Sequence, residues 1–540
     1  FTYVNKFGGR WSYDPANPYA NDAKAQSYTP ALNEPWKWGQ DTVKGVNIGG
    51  WLVTEPFIVP ALYQKYSGMT YDNGSFRIID EWKLVEQMKA DGSIGELETH
   101  YDTFITEEDF AQIAGAGLNW VRLPIPFWAI ETVGNEPYLQ GVQWKYVLKA
   151  IGWARKYGLR INLDLHTHPG SQNGWNHSGL SGGALGVNWL NGVMGIANAQ
   201  RSLDYIRIIT EFISQPEYAP VVPFFGIVNE PRIMQGNHVL DPQAVQNFYY
   251  EAYNVIRNVT GIGEGKGPMI SFHDGFLDFT TWNTFMTGAD RIALDTHPYF
   301  AFDGPNVAPL AEFLPRPCSR WAANINTTQN TFGVITAGEW SVAVNDCGLF
   351  VTGVGAPVAY GGGDCTQWTN YETWDQATKD SLKTFALATM DALQNWFFWT
   401  WKIGPSAVDN MVRAPFWSYK LGLEQGWLPT DPREAIGACV AVGQAPVPFA
   451  GTMQPWQTGG VGAGTMAPAV TETFTWPPTS LNSNFPVGQY LPTYTPTGTH
   501  TTLAVPSVTA GVNPGDGWFN DQDQVPMFVP VQGCTYPDAY

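Results

Sequence analysis

The stretch Val221-Val-Pro-Phe-Phe-Gly-Ile-Val-Asn-Glu-Pro231 runs from an apolar, β-prone core straight into a polar pair. A short apolar run closed by turn residues reads as a strand buried on both faces, the kind found in parallel sheets. Seven further runs share the pattern: Val43–Gly49, Leu118–Ile125, Arg160–His166, Pro268–His273, Arg291–His297, Phe332–Glu339 and Asn395–Lys402. Helical patterning fills most of the intervals, over Glu107–Ala116, Gln143–Tyr157, Ala199–Ile213, Gln243–Val259 and Asp375–Leu393. Thr106, followed by Glu108 and Asp109, marks a helix start, and Gly115 and Gly117 mark its stop. Strands alternating with helices predict a parallel sheet. Eight such units predict an α/β chain folded as a closed (β/α)8 TIM barrel rather than an open doubly wound sheet. Neither GxGxxG nor GxxxxGK[ST] occurs to favour a nucleotide fold.

The polar residues gather at the C-terminal ends of these runs. The third ends in Asp164 and His166, the fourth in Asn229 and Glu230, and the sixth in His297 with Tyr299 beyond it. The seventh ends in Glu339, and the eighth carries Trp399. In a barrel these ends open on one face, where sites are built. One buried Glu at a strand end is as easily an ion-pair partner as a functional group. Two carboxylates, two histidines and two aromatics at such ends are harder to assign to packing. Asp164, His166 and His168 alternate as metal ligands on a strand would, but no further ligand is positioned, and no metal or other cofactor is expected. Gly179-Leu-Ser-Gly-Gly183 matches GxSxG, yet it follows a polar, Gly-rich stretch instead of the strand a nucleophile elbow needs.

Around this core, residues 1–42 are rich in Pro, Asn, Tyr and Trp and read as an irregular N-terminal extension. Residues 43–440 hold the barrel, and 441–540 are rich in Pro, Gly and Thr. Trp456, Phe474, Trp476, Tyr490 and Trp518 offer anchors, so this C-terminal segment is expected to wrap the barrel. The net charge of −19 repels phosphate backbones and anionic lipid, which argues against nucleic-acid and membrane partners. No apolar run approaches the roughly 18–20 residues of a membrane span. Charged residues make up only 14% of the chain and aromatics another 14%, with 24 Trp, a balance that suits stacking on the apolar faces of sugar rings. The five cysteines include no CxxC and read as two disulfides and one leftover thiol in an oxidising compartment. Sequons at Asn73, Asn176, Asn258 and Asn326 fit secretion. A start at Phe1, without Met or a signal-peptide pattern, is the expectation for a processed form.

Retaining hydrolysis of a glycosidic bond needs a protonated carboxyl to give the leaving oxygen its proton and an ionised one to attack the anomeric carbon. Glu230 suits the first role and Glu339 the second. At the ends of the fourth and seventh strands they face each other across the barrel mouth. Asn229, one residue before Glu230, is placed for the sugar 2-hydroxyl.

Several stretches together resemble the fungal exo-β-1,3-glucanase branch of glycoside hydrolase family 5. They are Gly45-Val-Asn-Ile-Gly-Gly-Trp-Leu-Val-Thr-Glu-Pro56, Leu118-Asn-Trp-Val-Arg-Leu-Pro-Ile-Pro126, Asp164-Leu-His166, Pro169-Gly-Ser-Gln-Asn-Gly174, Asn229-Glu-Pro231, His297-Pro-Tyr299 and Gly338-Glu-Trp340. The resemblance spans about residues 43–440 and implies a monomeric, secreted or cell-wall enzyme. Such an enzyme releases glucose from the non-reducing ends of β-1,3-glucan and needs no cofactor. A related β-glycosidase or endo-β-glucanase is the alternative, and a non-catalytic glycan-binding protein a remote one. The same resemblance implies that Arg122 holds Glu339 ionised and that His166, His297 and Tyr299 orient the carboxylates and the sugar. It makes Trp399 the floor of the pocket, Glu55 the grip on the terminal glucose, and Trp175 with Phe302 the entrance clamp. It pairs Cys318 with Cys439 and Cys347 with Cys365, and leaves Cys534 without a counterpart. Trp175 stands where the family often has Phe, His177 where it usually has Asn, and Ser181–Gly195 departs from its pattern.

Overall fold

The computed structural model describes residues 3–481 except 15, 234–238, 447, 448 and 450, together with 485, 486 and 494. Eight parallel strands close a barrel: β1 (Lys44–Asn47), β2 (Trp120–Ile125), β3 (Arg160–Leu165), β4 (Phe224–Gly226), β5 (Met269–His273), β6 (Ile292–Thr296), β7 (Val334–Trp340) and β8 (Trp396–Phe398). Each strand pairs with its successor, and β8 returns to β1 with Lys44 opposite Trp396. All eight runs read from the sequence are strands, several of them shorter than expected. β4 is trimmed to three residues because Pro223 has no amide for the ladder and Glu230 turns out of the strand at φ +48°. Pairing still reaches past its ends, through the Ile161 amide to the Val221 carbonyl and the Ile227 amide to the Ser271 carbonyl.

The helix Glu107–Gly115 starts where Thr106 and Asp109 form a reciprocal capping box, and Gly117 follows its end at φ +85°. Helices Val142–Tyr157, Gly195–Ile213, Pro242–Thr260 and Gln376–Leu393 cover the sheet with their apolar faces. Between β5 and β6 the only named helical element is the 3-10 turn Phe279–Trp282. Three helices between β1 and β2, Pro60–Gln64, Glu81–Asp91 and Gly95–Thr103, were not anticipated.

The N-terminal extension seals the opening opposite the strand C-termini. Trp36 meets Trp120 edge-on at 5.2 Å, Trp38 meets Phe224 at 5.2 Å, and Val43, Met269, Val334 and Phe397 complete an apolar plug. Arg160 anchors the extension by donating to the carbonyls of Pro30, Ala31 and Glu34. The described C-terminal residues lie against the barrel's helices: Phe474 stacks on Tyr250, Trp476 meets Phe248 edge-on, and Gln457 donates to the Phe332 carbonyl. Tyr490, Trp518 and Cys534 lie outside the described residues. Disulfides join Cys318 to Cys439 and Cys347 to Cys365. Of the four sequons, Asn326 is buried, and its side-chain oxygen accepts from Gln394 and from the Phe449 amide, so the folded chain does not present it to solvent. Among the described residues, no helix is long and apolar enough to cross a membrane.

Candidate active site

Arg122, the third residue of β2, points into the barrel and ties its strands together. Nη1 donates to Asn47 of β1 (3.0 Å) and to Glu339 Oε1 of β7 (2.9 Å). Nη2 donates to Asn229 Oδ1 just beyond β4 (2.7 Å) and lies 3.0 Å from Asp164 of β3 and 3.9 Å from Asp295 of β6. Asp295 also accepts the Gly338 amide at 2.7 Å. A Cβ on Gly338 would sit 2.2 Å from that carboxylate oxygen, so the residue before Glu339 must be glycine for this approach.

Glu230 occupies left-handed backbone space that non-glycine residues rarely adopt. Its Oε1 takes a 2.6 Å hydrogen bond from His297 Nδ1, and its Oε2 lies 3.0 Å from His177 Nε2. The same His297 nitrogen is 3.5 Å from Glu339 Oε2, which accepts the Tyr299 hydroxyl at 2.9 Å. One nitrogen thus touches both carboxylates and keeps those two oxygens within about 6 Å. That suits the roughly 5–5.5 Å of a retaining pair and falls short of the roughly 6.5–9.5 Å an inverting pair needs.

Burial raises both carboxyls. For Glu230 the hydrogen bonds and charges of His177 and His297 overcome that penalty and take it well below the ordinary value. Glu339 stays raised, because burial and the charge on Glu230 outweigh the pull of His297 and Arg122. His297 is lifted well above the imidazole range: burial opposes its charge, but Glu339, Asp295 and Glu230 surround it. These surroundings favour the ionised form of Glu230 and the protonated form of Glu339. Double displacement requires the opposite distribution between the two carboxyls. Arg122 and the Tyr299 hydroxyl, both aimed at Glu339, are groups that favour its ionised form.

Around this pair, His166 is held by Asp164 (2.7 Å) and stacks on Trp399 with the rings 6° from parallel. Burial drops His166 to about 4, against the pull of Asp164, so it acts as a neutral hydrogen-bonding ring. Glu55, in the loop after β1, is fully buried, and its Oε1 has no hydrogen-bond partner. Burial and the negative charge of Glu339 and Glu230 push it up to about 8, His177 opposing. Trp175 is half-buried against His177, Phe276 and the Arg232 guanidinium. Phe302, on the loop after β6, is 57% exposed and braced by Tyr299 and Trp417.

Sequence reasoning missed Asn47, Asp295, Asn173, Phe276 and Trp417 as neighbours of the site. Asp295 was findable, since it lies two residues before His297 and so shares its face of β6. Phe276 and Trp417 arrive on loops and gave no periodic signal. Glu230, His273 and His297 also approach one another closely enough to suggest a metal. Their protons argue otherwise. His273 Nδ1 accepts the Gly275 amide, which puts its hydrogen on Nε2. That ring offers no lone pair to the cluster.

Residues 85–344 match the Cellulase family (glycosyl hydrolase family 5). The chain is 37% identical over 456 residues to a probable glucan 1,3-beta-glucosidase D of Aspergillus niger, covering 79% of this chain and 52% of that protein. It is 35% identical over 457 residues to the corresponding protein of Aspergillus terreus, covering 79% and 51%. The chain thus spans about half the length of the curated relatives it matches. The crystal structure of a rutinosidase from Aspergillus niger superposes with a TM-score of 0.55 at 20% identity, over 73% of this chain and 99% of that one, a likeness of fold alone.

Proposed function

We propose that the chain, whose residues 85–344 match the glycosyl hydrolase family 5 model, is a retaining, exo-acting β-1,3-glucanase that takes glucose from non-reducing ends. Residues 43–440 are its catalytic unit. The observation that carries this reading is the single His297 nitrogen in reach of both Glu230 and Glu339, which supports the short carboxylate spacing of double displacement. Glu339 attacks the anomeric carbon while Glu230 gives its proton to the departing oxygen. Glu230 then takes a proton from the water that hydrolyses the glycosyl ester.

Exo action is supported by Glu55, which feels the charges of Glu339 and Glu230 and keeps a buried oxygen without a hydrogen-bond partner, available to terminal hydroxyls. Trp399 is the floor beneath that sugar, Asn229 its 2-hydroxyl partner, and Trp175 and Phe302 the clamp on the next ring. The names of the Aspergillus relatives support glucan as the substrate, and the two disulfides support work outside the cell. Early products from laminarin test the whole reading. Glucose alone, released first as the β-anomer, is expected. Early laminari-oligosaccharides would overturn exo action, and first release as the α-anomer would overturn retention.

A further inference from the structure

His177 is the one ring on Glu230 that also reaches water: its side chain is 20% exposed, against none for His297. It enters from the loop after β3, two residues beyond Trp175, with Nε2 3.0 Å from Glu230 Oε2. The same nitrogen has a second neighbour, for the Asn173 side-chain amide stands 3.0 Å away and donates to the Glu230 carbonyl at 3.2 Å. A protonated His177 can give its Nε2 hydrogen to Glu230. A neutral His177 can instead receive the Asn173 hydrogen on the vacated lone pair. Both charge states find a partner without moving the ring, as a group that titrates in place requires.

We propose that His177 is a positioning residue that stores the proton Glu230 delivers, so that the His177–Glu230 pair still holds one proton at a pH where the carboxyl alone would have lost it. The inference rests on the roles given above to Glu230 and Glu339. In the step, the His177 Nε2–H bond breaks as a Glu230 O–H bond forms. That proton passes to the glycosidic oxygen while Glu339 bonds to the anomeric carbon. In the second half the attacking water's proton goes to Glu230 and back to His177, so the cycle closes without a net change.

Burial opposes the charge, but Glu230, Glu55 and Glu339 raise His177 above the usual imidazole value. The other imidazoles near it, His166 and His273, are held neutral by burial and add no opposing charge. His297 also bonds Glu230, yet it is fully buried and bound to Asp295 and Glu339 as well, so it serves as a fixed counter-charge.

The test compares pH profiles of kcat/KM for laminaritriose, whose leaving group needs a proton, and dinitrophenyl β-glucoside, whose leaving group does not. In His177→Asn, and in His177→Gln as a second replacement that keeps a donor, the alkaline limb for laminaritriose should move about one pH unit toward acid relative to the limb for the activated glucoside. Imidazole buffer should restore part of the lost activity in His177→Gly. A laminaritriose limb unmoved in the folded Asn or Gln variant, or limbs that move together for both substrates, would overturn the relay. Limbs that move together while product analysis fails as well would instead put the fault in the roles given to Glu230 and Glu339.

Discussion

The two ends of the barrel are built from the same eight strands and could hardly differ more. At the N-terminal end Trp36, Trp120, Phe224 and Phe397 pack edge to face, with the Arg160 guanidinium laid over the Trp36 ring at 5.2 Å. Even the indole nitrogens of Trp36 and Trp120 lack hydrogen-bond partners there. At the C-terminal end Arg122, Asp164, Asp295, His297, Glu230 and Glu339 are all buried, each within hydrogen-bond or ion-pair reach of another. The dry plug gains free energy from area and aromatic contact, about 0.5–1.5 kcal/mol per ring pair beyond burial. The mouth loses it, because desolvating ions costs several kcal/mol each and their pairing only partly offsets that. A barrel can carry so charged a mouth because its other end is closed to water.

The sharpest way to break this contrast is to remove charge from the mouth. Glu339→Gln and Glu230→Gln should each lower kcat on laminarin by at least about 10³-fold, while Tm falls by less than a core deletion would lower it, because the imidazoles beside these carboxyls can shed their charge. A drop in Tm comparable to that of a core deletion would place these residues in the stability of the fold instead. Next comes the plug. Trp120→Ala should cost about 3–5 kcal/mol in urea unfolding and leave kcat of the folded fraction close to wild type. A kcat loss exceeding the loss of folded protein would mean that the two ends are coupled.

A third effect concerns Glu55 and pH. Its carboxyl is raised to about 8 by burial, so between its unfolded value near 4.5 and pH 8 the folded chain keeps a proton that the unfolded chain has released. Stability should therefore fall as pH rises through that window, by at most about 1.4 kcal/mol per unit, and level off above it. Glu55→Gln should flatten the curve. Tm profiles of wild type and variant with the same slope between pH 5 and 8 would show that Glu55 is not a buried acid.

The barrel was legible because fully buried strands are written as apolar runs whose polar residues come last. Asn229 with Glu230, and Glu339, were readable for that reason. The helices Glu81–Asp91 and Gly95–Thr103 were not, since they belong to an insertion between β1 and β2 and fall outside the alternating rhythm. The electrostatics were legible only in outline. Arg122 could be placed beside Glu339, but its sharing among Asn47, Asp164, Asn229 and Asp295 depends on how four strands register around the barrel. The role of His177 hangs on the loop after β3, where a one-residue change of path would turn the ring away from Glu230.

The plug also has a history in time. Trp36 and Trp38 leave the ribosome before any of the rings they finally meet. Trp120 and Phe224 come first, Phe397 follows well after them, and Met453, which lies against Gly39, later still. At roughly 5–20 residues per second, the two indoles spend tens of seconds in water before their seat is complete. For that interval the nascent chain displays two large apolar rings with nothing of its own to cover them. Its yield should thus depend on how well the cell shields a segment whose place in the fold is the last to be finished.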